Sequence, residues 1–324
     1  MHRHLEELEK FVMAGIPAIW LTTHEERRTM ALMADFKNDL AYTVIEWDIL
    51  NAARITYANG RPGIKEDELK SLDDPVAAIK HFTELTAQGV IMILHDFHRF
   101  IKSAEIVRAI KTFLAKDQPL KHLIFMSHAN SIPEELEKDV LLAHVSLPDK
   151  SDLQGIVESI LSDNDLTESV MIEAEHVKAV MGLTQQEASN AFALTLAKKE
   201  CLNREELEAF KLEAVKKSGM MEIFPAVAES ELGGLDSLKE YMRLRSKGFD
   251  DEGLPTPTGI LLMGLPGGGK SLSAKVIASM LKMPLIKLDI ASLKSKYVGE
   301  SESKMGQALN LIDAVSPAVV WLDK

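Results

Sequence analysis

The chain has 324 residues, 46% of them hydrophobic, which is enough for two domains with cores of ordinary size. Its 49 acidic against 37 basic residues give a formal net charge of −12, which disfavours general affinity for nucleic acid or anionic membrane and points to protein partners. A single cysteine, Cys201, excludes an internal disulfide framework, and no apolar run approaches the roughly 20 residues of a membrane span.

The amino terminus, MHRHLEELEKFVMAG, lacks the apolar core of a secretory signal, so a cytoplasmic protein is expected, or a stromal one if it is plastid-encoded. Residues 17–22, 42–47, 90–94 and 123–126 are apolar and partly β-branched, with helical patterns between them, which predicts a parallel sheet. Where a phosphate loop would follow the first of these strands, the chain reads Leu21-Thr22-Thr23-His24-Glu25-Glu26. That stretch has no Gly-Lys-Ser, and its carboxylates would repel phosphate. His95-Asp96, with His98 close by, and Ser127-His128 stand at strand ends where a metal-binding acid would lie. With no second cluster beside either in the sequence, capping and surface hydrogen bonding are the expected roles. No G-x-S-x-G elbow accompanies them, which argues against a Ser-His-Asp hydrolase.

From Ser151 the pattern turns helical, with capping-box signatures at Ser151 with Gln154 and at Thr184 with Glu187. A charged helix is predicted over residues 203–217, ending at Ser218-Gly219. Three segments follow: an α/β lobe at 1–150 without a phosphate loop, a helical cap or linker at 151–218, and a second α/β core at 219–324. In the last, a glycine turn (LGGL, 232–235) precedes a helix over 236–245, and a stiff loop at 253–259 feeds a buried strand at Ile260, Leu261, Leu262 and Met263.

Gly264, Gly269, Lys270 and Ser271 then complete G-x-x-x-x-G-K-S, and Leu272, Val276, Ile277 and Met280 recur at helical spacing. Glycines let the backbone curl so that successive N–H groups face phosphate, and the following helix adds its positive end. Lys270 would reach the β- and γ-phosphates, and the Ser271 hydroxyl would ligate the Mg²⁺ between them. A nucleoside triphosphate, ATP or GTP, is therefore the expected ligand, and the absence of N-K-x-D after the loop argues against GTP. Residues 284–289 read as the next strand. Met305, Ala308, Leu309 and Ile312 make one apolar helical face ended by Pro317, and 318–322 read as a strand finishing at Asp323.

LGGLDSLKEYM, GLPTPTGILLMGLPGGGKS, SKYVGESE and VVWLD, in that order, resemble the AAA+ ATPases. The KKSGMMEIF entry and the HDFHRF and HANSIPEEL pieces resemble the uncharacterised AAA ATPases of algal chloroplasts and cyanobacteria, which carry a degenerate lobe ahead of an active one. The resemblance implies an α/β fold of P-loop NTPase (AAA+) type, with two lobes and a helical cap between them. It implies nucleotide contacts from Gly233, Gly234, Pro266, Gly267, Gly268, Gly269, Lys270, Ser271 and Leu272, with Lys270 and Asp323 catalytic and Ser271 and Asp323 holding Mg²⁺. It also implies a substrate-gripping pore loop at Tyr297, Val298 and Gly299, and ATP hydrolysis coupled to protein remodelling in a homo-oligomeric ring. Lys324 stands where the family has the glutamate that orients water, and the sequence ends there. The family's sensor, arginine finger, lid and inserted central strand are thus expected to be missing, and the carboxy-terminal lobe is expected to be loosened. The alternative reading is a non-hydrolysing, nucleotide-gated scaffold.

Overall fold

The computed structural model describes residues 4–40, 42–58, 64–116, 118, 120–199, 201–217, 221–224, 227–249, 258–265, 267–281, 283–288, 305, 308, 309, 312, 315, 316 and 318–322. The chain divides into two compact units, Met1–Pro148 and Asp149–Lys324.

The first unit runs α1 (Glu6–Met13), β1 (Ala18–Thr22), α2 (Glu26–Leu40), β2 (Thr43–Asp48), β3 (Ala52–Tyr57), α3 (Glu66–Leu69), α4 (Pro75–Glu84), β4 (Val90–His95), α5 (Ala104–Leu114), β5 (Lys121–Ser127) and β6 (Leu141–His144). Its six-stranded sheet has the order β3-β2-β4-β5-β1-β6, parallel except for β3 against β2. Because side chains alternate along a strand, each central strand feeds two cores. Ala18 and Trp20, Val90, Met92 and Leu94, and Leu123 and Phe125 face one layer, which α4 and α5 close with Ile79, Phe82, Ile110 and Phe113. Ile19 and Leu21, Ile91 and Ile93, and Ile124 and Met126 face the other, closed by Leu8 and Val12 of α1 and Met33 of α2. Strands buried on both faces read as continuous apolar runs, which is why β1, β4 and β5, and β2 with Val44 in one core and Ile45 and Trp47 in the other, were legible. The edge strands β3 and β6 are only partly buried, so their apolar signal is too short to stand out in the sequence.

The second unit begins with α6 (Lys150–Asp163), α7 (Ala174–Val180), α8 (Gln185–Lys199) and α9 (Arg204–Lys217), packed around Leu153, Val157, Val177, Phe192 and Leu207. The Thr184–Glu187 capping box forms, with the Thr184 N–H donating to Glu187 Oε2 at 2.9 Å and the Glu187 N–H to Thr184 Oγ1 at 3.3 Å. The other expected box is displaced. Asp149, not Ser151, caps α6, its carboxylate accepting the Ser151 and Asp152 N–H groups while Asp152 accepts the Asp149 N–H. A carboxylate at the end of the extended segment reaches the free amides two residues before Ser151 could.

Then come β7 (Met221–Phe224), α10 (Asp236–Ser246), α11 (Lys270–Met280), β8 (Leu285–Leu288) and β9 (Val319–Leu322). These strands form a sheet in the order β7-β8-β9, with β7 antiparallel to β8 and β8 parallel to β9. Met305, Ala308, Leu309, Ile312 and Val315 are helical, but the inward stripe is narrower than expected. Ala308 and Val315 are buried with Ile312 against them, whereas Met305 and Leu309 are exposed. The strand expected at Ile260, Leu261, Leu262 and Met263 is not formed. Residues 258–265 have no regular structure, and Leu261, Met263 and Leu265 are 83%, 84% and 82% exposed. A strand needs a ladder partner, and among the described residues β9 pairs only with β8. No described helix is long and apolar enough to cross a membrane.

Candidate functional site

In the second unit the glycine-rich segment turns directly into α11. Gly267 and Gly269 take φ values of 80° and 79°, the left-handed region that costs glycine nothing. A Cβ at either position would meet no atom within 4 Å, so glycine is required there by the backbone rather than by space. The Gly268 N–H donates to the Leu265 carbonyl at 3.1 Å, tightening the turn. Gly269 is the N-cap of α11, no side chain among the described residues caps the helix, and its first turn holds no acidic residue. The first amides of a helix have no intrahelical acceptor, so this end presents N–H groups and the positive end of the helix dipole to an open face. The Lys270 ammonium folds back over the loop, donating to the Gly264 and Leu265 carbonyls at 2.9 Å each. Ser271 is exposed in the same first turn with Leu272 beside it. The arrangement suits a polyphosphate: amides and an ammonium converge, and the first turn of the helix carries no carboxylate.

Gly233 and Gly234 lie between a 3-10 turn at Glu229–Glu231 and α10, with Gly234 at φ 67° and Leu235, which follows, at 55°. α10 and the Glu229–Glu231 turn both pack on α11. The Val227 N–H donates to Ser279 Oγ at 2.9 Å, and a concavity of about 350 Å³ is lined by Val227, Ala228, Glu229, Ser279 and Met280. Ser279 lies nine residues along the helix from Lys270, about 13 Å away at the α-helical rise, so this concavity is separate from the phosphate-type loop. Pro266, Tyr297, Val298, Gly299 and Asp323 lie outside the described residues.

The corresponding strand end in the first unit is built differently. After β1, the Thr23 hydroxyl accepts the Glu25 N–H at 3.0 Å, and α2 starts without a glycine turn. Glu25 and Glu26, expected only to repel phosphate, each hold a cation. Glu25 pairs with the buried Arg28 at 3.0 Å, and Arg28 also donates to the Ser146 carbonyl at 2.8 Å. Glu26 Oε2 lies 3.5 Å from His95 Nδ1, while Glu46 Oε2 lies 3.4 Å from His95 Nε2. The Glu46 approach is a charge contact rather than an aligned hydrogen bond. Glu46 also takes Arg54 Nη2 at 2.7 Å across the β2–β3 ladder, and Arg54 Nη1 reaches Asp48 at 2.6 Å.

Burial alone would push the His95 imidazole down, but the two carboxylates flanking its ring overcome this and raise it to about 9. Glu26 is held below its ordinary value first by His95; burial opposes the lowering of Glu46, and His95, Thr56 and Arg54 prevail. Burial likewise opposes the lowering of Asp48, which Arg54 and Asn51 bring to about 2. Sequence reasoning missed this network. Its signal was a glutamate inside the apolar run VIEWD and a histidine closing VIMILH.

The same strand ends gather imidazoles. His98, in a 3-10 turn at Phe97–Arg99, has its ring 4.6 Å from that of His128, and the His24 ring lies 5.7 Å from that of His128. Ser127 Oγ is 2.7 Å from His98 Nδ1. Burial, then His128, holds the His98 imidazole below its ordinary value. The two strand-end pieces that looked isolated in the sequence therefore meet.

Residues 4–145 match the SpoVK-like AAA ATPase N-terminal domain, and residues 260–324 match the ATPase family associated with various cellular activities (AAA). The chain is 28% identical to an uncharacterized AAA domain-containing protein, ycf46, of Trieres chinensis, over 98% of this chain and 65% of the relative. It is 27% identical to that of Guillardia theta, over 99% of this chain and 64% of the relative. A putative ribosome biogenesis ATPase, nvl, of Dictyostelium discoideum is 36% identical over 34% of this chain and 14% of its own length. The chain thus spans just under two thirds of the length of the two ycf46 relatives.

Proposed function

We propose that this chain, which belongs to the AAA ATPases through the domain matched at residues 260–324, binds ATP with Mg²⁺ at its glycine-rich loop and serves in ATP-driven protein remodelling. The observation carrying this reading is the left-handed glycine turn that runs into a helix start without a side-chain cap among the described residues, with the Lys270 ammonium folded over it. Backbone amides from Gly267, Gly268, Gly269 and Lys270 would cradle the β-phosphate, and Pro266 and Leu272 would border it. Lys270 would exchange its two carbonyl acceptors for phosphate oxygens, a swap that favours the charged partner. Ser271 and Asp323 would hold the Mg²⁺, and Gly233 and Gly234 would wall the base. The nucleotide supplies a phosphoanhydride whose hydrolysis releases free energy; Tyr297, Val298 and Gly299 would transmit it to a protein substrate within a homo-oligomeric ring. The cytoplasm, or the stroma of a plastid, is the compartment this reading favours.

The six-stranded unit, with no Gly-Lys-Ser after β1, is proposed as a nucleotide-free partner lobe, with the helices between as a cap. A second reading, a nucleotide-gated scaffold without turnover, is favoured by Lys324 in place of the family's glutamate after Asp323. Titration of a fluorescent ATP analogue into the chain and its Lys270→Ala variant tests the main reading, together with steady-state phosphate release. Binding weakened at least about tenfold by Lys270→Ala, as expected for loss of a hydrogen bond to a charged group, supports the site; equal binding overturns it. Binding with only background phosphate release selects the scaffold.

A further inference from the structure

Strands β4, β5 and β1 are neighbours in the first unit's sheet, all parallel, with Thr22 paired to Ser127 and His95 to Met126. Their carboxyl ends therefore lie side by side at the strand spacing of about 4.8 Å, and the residues just beyond them, His24, Asp96, His98 and His128, are brought to one rim. The burial of Phe97 in the core fixes the turn that places Asp96 and His98 there. One donor atom each of Asp96, His98 and His128 lie mutually within 4.8 Å, and His98 Nδ1 is 3.9 Å from Asp96 Oδ1. Two imidazoles sharing one tetrahedral ion at about 2.0 Å hold their ring centres about 5 Å apart, and neighbouring donors about 3.4 Å apart. The observed ring separation of 4.6 Å falls close to that spacing. In the ion-free chain the Ser127 hydroxyl, itself accepting the Ala129 N–H, holds His98 Nδ1, the nitrogen 3.9 Å from Asp96, and would give it up to the ion.

We propose that Asp96, His98 and His128 form a binding site for a divalent transition-metal ion, with His24 at its rim and water in the remaining position. Two imidazoles and one carboxylate are the donor set of Zn²⁺ rather than of Mg²⁺ or Ca²⁺, which take oxygen ligands. Carboxyl ends of parallel strands are where α/β sheets bind ligands. In this unit that position offers cation ligands, whereas the glycine loop of the second unit offers anion-binding amides. The site is independent of the nucleotide reading.

Calorimetric titration of Zn²⁺ alone into the tag-free, nucleotide-free full chain tests it, with the visible absorption of the Co²⁺-substituted protein as a second readout. One ion per chain is expected, with tetrahedral-type Co²⁺ bands and a melting temperature that Zn²⁺ raises and EDTA restores. His128→Ala and Asp96→Asn, both at exposed positions, should weaken binding by about tenfold or more, since even outer-sphere partners contribute 10- to 100-fold, and should abolish the Zn²⁺-dependent rise. His98→Ala should do the same, although the first two variants suffice if losing the Ser127 contact unfolds it. Paired His2→Ala and His4→Ala changes, and separately Lys270→Ala, should leave the ion bound. Absence of stoichiometric binding, or equal affinity in His128→Ala and Asp96→Asn, overturns the proposal.

Discussion

Replacing Glu46 by glutamine removes the central charge of the buried network without changing its shape. The Glu46 carboxylate, 7% exposed, contacts Arg54 at 2.7 Å and His95 at 3.4 Å. At 3.4 Å and an effective dielectric of about 20, the attraction to protonated His95 is about 5 kcal/mol before desolvation, which offsets most of it. Neither cation is stranded by the change: His95 keeps Glu26 at 3.5 Å, and Arg54 keeps Asp48 at 2.6 Å. The expected cost of Glu46→Gln is therefore about 1–3 kcal/mol, below the 3–5 kcal/mol of a buried charge left alone. Glu26, with its side chain 45% exposed, should cost about 1 kcal/mol or less as Glu26→Gln. Urea unfolding in EDTA at pH 7, followed by the fluorescence of Trp20 and Trp47 in a Trp321→Phe background, isolates the first unit, because Trp321 is the third and last tryptophan. The midpoint should fall at unchanged slope. A Glu46→Gln loss under about 0.5 kcal/mol, the scale of an ordinary surface change, or a larger loss from Glu26→Gln, would refute the reasoning.

Gly269→Ala forces a Cβ onto a φ of 79° in open space, so its cost is purely conformational, about 1–2 kcal/mol; weaker nucleotide binding and an earlier second-unit transition are expected, and unchanged values would contradict the required left-handed turn. Asp48, opposed by burial but held at about 2 by Arg54 and the Asn51 and Leu50 amides, has a folded pKa below its unfolded 3.8. Its stabilisation is present above about pH 4 and lost as pH falls toward 2, so Asp48→Asn should flatten the acid limb of stability against pH; an unaltered limb counts against the assignment. Lys121, 4% exposed and pushed down in pKa by burial and then by Lys116, donates Nζ to the Phe82 carbonyl at 3.1 Å and to that of Leu85 at the end of α4. Lys121→Met leaves both carbonyls without that donor and should cost about 1–3 kcal/mol in urea unfolding; a gain in stability would show that the charge is a net burden.

What neighbours in the chain can encode was legible from the sequence alone. Gly264, Gly269, Lys270 and Ser271 specify a turn and a helix start within eight residues, because left-handed φ and helix periodicity are local properties. Continuous apolar runs such as VIMILH and LIFM marked strands covered on both faces, and with them the α/β class. Asp149 outcompeting Ser151 as the α6 cap was a matter of two residues, decided by which side chain the turn points at the free amides. Tertiary structure alone decided what sheet order brings together. Glu26, Glu46 and His95 come from α2, β2 and β4, and His24, His98 and His128 from three loops whose strands are adjacent only after folding. The sequence separations among them carry no trace of that adjacency, because parallel strands are joined by crossovers of variable length. Residues 260–263 illustrate the reverse case: an apolar run has strand propensity by itself, but a strand exists only where another backbone completes its hydrogen bonds.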